Sequence, residues 1–277
     1  MTREVIRSRS NREIREYAKL RQKKYRDREG LFLADGTKLL REALTSGIEP
    51  ERICFTESWL EGAEPELRTQ VERLETERRA SAVTPEVLEL ISSVKSPEGV
   101  VSILHLPKEP DTEQLLSGRL NGESGLTGTA SYVILEDVQD PGNLGTIIRT
   151  ADAAGYDAVI LTDQTADAFG DKALRASMGS AFHLPILRTD RLADILDSLA
   201  RNGFDVIGAS LEGEPLDLCR ATPPERLALV LGNESRGMTG TASGLCTRLV
   251  KIPIYGRAES LNVAVASGIL LYAFAQK

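Results

Sequence analysis

The sequence is poor in the residues from which enzymes are most easily recognised: it holds two histidines, three cysteines and one tryptophan among 277 residues, with aromatics at 5%. Cys54, Cys219 and Cys246 are odd in number and far apart, so they spell neither a disulfide framework nor a CxxC-type metal site. All three read as reduced thiols, and no metal is expected. Neither His105 nor His183 stands in a nucleophile motif, which removes the usual hydrolase triads. His183, between Phe182 and Leu184, reads as a core or edge residue. No apolar run approaches the ~18 residues a membrane span needs. The opening MTREVIRSRSNREIREY lacks the apolar stretch and cleavage site of a secretory signal, so a cytoplasmic protein without a membrane partner is expected.

Two nucleotide-binding fingerprints are also missing. The phosphate-cradling GxxxxGK[ST] does not occur. Gly142 and Gly145 lie three apart with no third glycine at the same interval, so GxGxxG fails and a nicotinamide dehydrogenase ranks low.

What is present is a globular composition, 41% hydrophobic and 27% charged, in a chain long enough for two domains with separate cores. The net charge of −7 argues by itself against nucleic acid. Its distribution reverses that argument: Met1 to Gly30 carries eleven Lys/Arg against five Asp/Glu, a local surplus of +6 that leaves −13 on the remainder. The run Arg12, Arg15, Lys19, Arg21, Lys23, Lys24, Arg26 and Arg28 suits RNA phosphates, where each ion pair releases counterions. It equally suits a solvated helix with Glu13 and Glu16 as intrahelical partners.

Periodicity divides the chain into three regions. Residues 1–105 read as a small α/β unit: a helix capped by Asn11 and running to about Arg26, strands at Leu31–Ala34, Ile53–Phe55 and Val100–Leu104, and helices at Thr37–Leu44, Leu67–Leu74 and Pro85–Ile91. Residues 106–130 are rich in Pro, Gly, Ser and acids and read as a linker that permits domain motion, with Leu115, Leu116 and Leu120 able to dock locally. Residues 131–277 begin with the strand Tyr132–Leu135, the turn Asp140-Pro141-Gly142-Asn143 and a helix from Leu144 to Ala154 that Asn143 caps. Ile147, Ala151 and Ala154 share the inward face of that helix, and Arg149 lies about 200° around from Ile147. Further strands at Val159–Leu161, Leu184–Leu187, Val206–Ala209 and Leu227–Leu231 give a largely parallel buried sheet, whose ligands bind at the carboxyl ends of strands. The last helix, Leu261 to Phe274, is apolar almost all round and must be buried on several sides.

Three segments of this last region are specific in combination: Asn143-Leu144-Gly145-Thr146-Ile147-Ile148-Arg149, Leu231-Gly232-Asn233-Glu234-Ser235-Arg236-Gly237-Met238, and Ile252-Pro253-Ile254 followed by Ser260-Leu261-Asn262-Val263-Ala264-Val265-Ala266. In order and spacing they resemble the three motifs of the SpoU/TrmH family of RNA ribose 2′-O-methyltransferases, within the SPOUT superfamily. Lys172 to Ser180 is similar to thiostrepton-resistance-type members, and Arg28-Glu29-Gly30-Leu31-Phe32-Leu33-Ala34-Asp35-Gly36 resembles the ribosomal-protein-like RNA-binding module often fused to the family.

The resemblance implies an α/β fold in which a small N-terminal RNA-binding domain precedes a SPOUT α/β domain with a deep trefoil knot. Pattern reasoning alone, for which knots are nearly absent, implies only an ordinary doubly wound sheet. The resemblance further implies methyl transfer from S-adenosylmethionine to a ribose 2′-hydroxyl, with the donor held by Leu231, Gly232, Ile252 and Leu261, and Arg149, Asn143, Glu234, Ser260 and Asn262 at the catalytic centre. Glu234 is expected to orient Arg149 or RNA groups. The expected partners are RNA, ribosomal in preference to transfer RNA, and a second copy of the chain through the C-terminal domain. The alternatives are the same reaction on transfer RNA and a non-catalytic RNA-binding or ribosome-assembly factor.

Overall fold

A computed structural model describes residues 3–119, 129–218 and 220–275. The chain divides into two compact units, Met1–Pro107 with Phe169–Phe182, and Lys108–Ala168 with His183–Lys277.

The first unit holds, in chain order, β1 (Val5–Ile6), α1 (Arg12–Lys19), α2 (Lys23–Glu29), β2 (Leu31–Asp35), α3 (Thr37–Thr45), β3 (Arg52–Phe55), α4 (Glu57–Gly62), α5 (Pro65–Thr76), β4 (Ala80–Val83), α6 (Pro85–Ile91) and β5 (Val100–His105). Its sheet runs β1-β4-β3-β5-β2, with β5 antiparallel to both neighbours. The first helix begins as expected, with Asn11 accepting from the Ile14 N–H, but it does not continue to Arg26. Leu20 turns into the core and the chain restarts as α2, because the buried Arg26 guanidinium donates to the Leu20 carbonyl at 2.8 Å and braces the break. Gly30, at φ 66°, then ends α2 in the left-handed conformation that glycine adopts without strain. The short strands β1 and β4 carry too little alternation to stand out in the sequence.

The second unit contains α7 (Thr112–Leu116), β6 (Ala130–Leu135), α8 (Pro141–Ala153) and β7 (Ala158–Thr162). Then comes α9 (Asp171–Ser177), which clusters with the first unit although β7 and the next strand flank it in the chain. The second unit resumes with β8 (Ile186–Thr189), α10 (Leu192–Arg201), β9 (Asp205–Pro215), β10 (Arg226–Leu231), α11 (Gly240–Leu245), β11 (Arg248–Lys251) and α12 (Val263–Ala273). Six parallel strands are ordered β11-β9-β10-β6-β7-β8, and every residue of β6 and β7 is buried, as a sheet covered on both faces requires.

Leu115 docks into the core of this unit and its carbonyl accepts the Tyr132 hydroxyl at 2.8 Å, so part of the expected linker is packed structure. Leu120 and Cys219 lie outside the described residues. The long β9 outruns its expected four residues because β11 pairs along it across a bulge between Leu249 and Val250, where Gly213 lets the strands close. A Cβ at Gly213 would stand 2.6 Å from the Val250 nitrogen. The outlying α9 segment is tied to the first unit by Phe169 and Phe182, whose rings pack on the fully buried Phe32, and by Gly179, which lies against Glu42.

Candidate active site

The site is built where β6 runs out and α8 begins. Asp140, not Asn143, is the cap: its Oδ1 accepts from the Asn143 N–H at 2.9 Å, and Pro141 occupies the first helical position. This frees the Asn143 side chain, which sits one turn inside the helix. Its Nδ2 donates to Glu234 Oε1 at 3.1 Å, while its Oδ1 accepts from Asn262 Nδ2 at 3.2 Å. Asn262 caps α12, its Oδ1 taking the N–H groups of Ala264 and Val265. One hydrogen-bonded line, Asn262 to Asn143 to Glu234, thus joins three segments far apart in sequence.

Glu234 is further engaged by the backbone N–H of Asp140 at 3.2 Å and of Gln139 at 3.3 Å. Partial burial opposes its ionised form, but these backbone donors, its own N–H and the Asn143 amide outweigh that cost and hold its carboxyl below the usual range. It is therefore a fixed anion at neutral pH, a shaping group rather than a proton carrier. The expectation that it orients Arg149 finds no contact: Arg149 is exposed on α8 and makes no hydrogen bond or ion pair among the described residues.

The loop carrying Glu234 is a tight hairpin. Asn233 and Gly237 exchange backbone bonds of 3.0 and 2.9 Å, Gly237 has φ 68°, and Asn233 Oδ1 accepts from the N–H groups of Ser235 and Arg236. Gly232 is obligatory here, since a Cβ would lie 2.2 Å from backbone atoms of Gly237 and Met238. The buried Glu136 fastens the far side, accepting from Thr239 N and Oγ1 at 2.9 and 2.7 Å.

Beneath this hairpin lies a cavity of about 550 Å³. Leu231, Gly232, Glu234, Ile252, Ser260 and Leu261 line it, six of the nine residues singled out from the sequence; Asn143 and Asn262 reach it through Glu234, and Arg149 is not among its walls. The volume suits a nucleoside-sized ligand. The walls combine apolar side chains with bare backbone at Gly232 and charged groups at Glu212 and Lys251, a donor set that fits S-adenosylmethionine. The sequence assigns no individual role to Asp140, Glu136, Asp137, Asn233 or Arg236. The Asp-Pro dipeptide is a helix-start signal that identifies the first of these, whereas the others depend on long-range partners.

In the first unit the basic run separates into distinct groups. Lys19 pairs with Glu16, Lys23 with Asp27 and Arg28 with Glu29, while Arg26 is buried. Glu13 turns away to Arg52 and Tyr17. Arg9, Arg12 and Arg15 remain exposed with no ion pair among the described residues, and with Lys19 they line a second cleft of about 540 Å³. Arg12, Arg15 and Lys19 occupy one face of α1, roughly opposite the core face of Ile14, Tyr17 and Ala18.

Other reactive groups are quiet. Burial pushes the Cys54 thiol up to about 12 and that of Cys246 up to about 11, so neither is a nucleophile near neutrality. His183 and His105 are exposed, beside Asp152 and Glu51, which for His183 is the edge rather than the core position. Arg175 is engaged by Asp171 and Ser93 within the first unit. Among the described residues no cluster suits a metal, and no helix is long and apolar enough to cross a membrane.

Comparison with known proteins decides the family. The SpoU rRNA Methylase family model matches residues 130–272, and that of the MRM3-like substrate binding domain matches residues 11–102. The chain belongs to the SpoU family. It is 37% identical over 270 residues to the 23S rRNA (guanosine(2553)-2′-O)-methyltransferase RlmP of Bacillus subtilis, covering 96% of this chain and 97% of that one. An AdoMet-bound rRNA methyltransferase from Sinorhizobium meliloti superposes with a TM-score of 0.79 at 32% identity, over 98% and 96% of the two chains. The SpoU methyltransferase AviRb of Streptomyces viridochromogenes, also solved with AdoMet, gives 0.77 at 26% identity over 96% and 98%. This SpoU-family chain is an RNA ribose 2′-O-methyltransferase that uses S-adenosylmethionine.

Proposed function

We propose that the RNA is ribosomal and that the cavity beneath the Asn233–Gly237 hairpin holds the methyl donor against it. The observation that carries this reading is the line Asn262–Asn143–Glu234, which gathers all three motif segments at the cavity. The 23S ribosomal RNA named for the Bacillus relative favours the ribosomal substrate over transfer RNA.

When bound, the donor supplies an electrophilic methyl group on a cationic sulfonium. The chain's task is to bring a ribose hydroxyl in line with that methyl and to stabilise the oxygen as it gains negative character. Leu231, Gly232, Ile252 and Leu261 hold the donor, Gly232 by admitting backbone where a side chain would intrude. Glu234, Asn143 and Asn262 keep the mouth in shape, and Ser260 lines it. Arg149, with no hydrogen bond or ion pair among the described residues, grips the RNA phosphate and hydroxyl as a permanent cation. A guanidinium that stays protonated in proteins is a poor base, so the proton leaves through a neighbouring phosphate oxygen or water. The Arg9, Arg12 and Arg15 cleft adds salt-sensitive grip on the phosphate backbone.

Two features of the assembly belong to the same reading. The C-terminal segment forms the family's trefoil knot, supported by the insertion of β10 between β9 and β6 and the return of α12 onto α8. The chain pairs with a second copy through α12, where Val265 and Tyr272 expose 53% and 60% of their surface on an otherwise apolar helix. Its place of action is the cytoplasm, with its RNA.

The test is incubation with radiolabelled S-adenosylmethionine and unmodified 23S and transfer RNA, followed by nucleoside mass analysis. A 2′-O-methyl nucleoside from 23S RNA is expected. Label in transfer RNA alone moves the substrate. Donor binding without label in either RNA favours an assembly factor.

A further inference from the structure

The side chain of Arg236 takes part in none of the contacts described above. It lines the cavity from the hairpin and leaves 69% of its side chain exposed, so it stands at the rim rather than on the floor. One carboxylate partners it: Asp137 Oδ2 accepts from Arg236 Nη2 at 3.3 Å. Four more N–H donors of the guanidinium have no acceptor among the described residues.

Asp137 is itself unusual. Its φ of 58° is left-handed, a conformation that residues with side chains rarely adopt. Three further hydrogen bonds hold it there. Its N–H donates to Thr162 Oγ1 at 2.9 Å, its Oδ1 accepts from the same hydroxyl at 2.8 Å, and its carbonyl accepts from Asn233 Nδ2 at 2.8 Å. The residue is a bracket between the end of β7 and the hairpin, with Oδ2 left over to aim Arg236. Such an arrangement fixes a cation without consuming it.

We propose that Arg236 contacts the RNA directly, gripping a phosphate beside the target ribose at the cavity mouth, and that Asp137 is the positioning residue that aims it. This rests on the ribosomal-RNA reading above. A planar guanidinium with parallel free N–H groups suits the paired oxygens of a phosphate. The donor's carboxylate offers similar chemistry, but the exposure of Arg236 favours a group arriving from solvent over one seated within the cavity.

The experiment uses the full chain with an unmodified 23S RNA transcript and measures the RNA Kd, kcat and KM across 50–200 mM salt, together with the donor Kd by calorimetry. Arg236→Ala is expected to raise the RNA Kd and KM about tenfold and to make the log–log salt dependence of RNA affinity shallower by about 0.7–0.9, one phosphate's share. Donor Kd should stay within twofold. Arg236→Lys should restore the salt slope but only part of the affinity, and Asp137→Asn should raise KM about threefold with the slope unchanged. A tenfold weaker donor with unchanged RNA affinity overturns the proposal in favour of the donor carboxylate. Unchanged constants for both ligands in Arg236→Ala overturn it outright. If the wild-type protein bound donor but neither bound nor methylated the transcript, the ribosomal-RNA reading would fall and this proposal with it.

Discussion

In the first unit Arg9, Arg12 and Arg15 face solvent with no ion pair among the described residues, whereas in the second Asp140, Glu136 and Glu234 are consumed in shaping backbone. Asp140 caps α8, Glu136 fastens Thr239, and Glu234 holds two backbone N–H groups and Asn143. Charge free in solvent acts additively and is screened by salt. Charge committed to a hydrogen-bonded frame acts all at once, because losing one member releases several partners of the frame together. Substitutions should therefore give graded, salt-sensitive effects in the first unit and abrupt, salt-insensitive ones in the second.

The largest effect is expected at Gly232. An added Cβ meets backbone rather than a side chain that can swing away, so Gly232→Ala must open the hairpin. Overpacking of this kind costs about 1–3 kcal/mol, and donor affinity should fall by about 100-fold, roughly 2.7 kcal/mol, as calorimetry would show. Gly30→Ala in the first unit sharpens the contrast. Open space surrounds Gly30, so only its φ of 66° resists the change, and stability should drop by about 1 kcal/mol with donor affinity untouched.

Next comes Glu234. Glu234→Gln keeps the shape but turns an acceptor into a donor against the backbone N–H groups, and kcat should fall by about 30–100-fold, as expected for charge-assisted hydrogen bonds of about 2–3 kcal/mol. The wild-type carboxyl is held below its usual range, so the order it contributes is complete above the unfolded value of about 4.3 and is lost as pH falls through the lower folded value. Donor affinity measured from pH 8 downward should accordingly show no loss from Glu234 until well below pH 5, and the Gln variant should lack that acid limb. A midpoint near pH 6 to 7 would make Glu234 a proton carrier and break the comparison.

Arg149 lies between the two regimes, being a free cation beside a committed frame. Arg149→Lys retains charge but loses the planar fork, and single-turnover rate should drop by about 10–30-fold with donor Kd unchanged. Near-wild-type turnover would remove Arg149 from the chemistry.

The sequence made the parallel sheet legible because β6, β7 and β10 are continuous apolar runs, and the outward placement of Arg149 because helix geometry fixes it. It misassigned the cap of α8, since Asn143 and Asp140 are both good cap residues and only the Pro at 141 separates them. The break between α1 and α2 was hidden because its cause is a long-range one, a buried Arg26 reaching back to Leu20. The membership of α9 in the first unit was equally invisible: Phe32, Phe169 and Phe182 meet across more than 130 residues, and no local pattern encodes that contact. Motif positions did mark where the chain would converge on the cavity. They did not show that Glu234 is spent on Asn143 and backbone, which needs the coordinates of three separated segments.

The smallest effects belong to α1, and they test the comparison most directly. If the free arginines act as independent phosphate contacts, Arg12→Gln and Arg15→Gln should each weaken RNA binding by about three- to tenfold and flatten the log–log salt dependence by about 0.7 per residue, with the double variant showing the sum. Lys23→Gln serves as the contrast, because Lys23 already pairs with Asp27, and its effect should stay within twofold. Donor affinity should not move in any of the three. Equal losses at Lys23 and Arg12 would mean that net charge alone draws the RNA, and the division of the basic run into free and neutralised members would then carry no functional meaning.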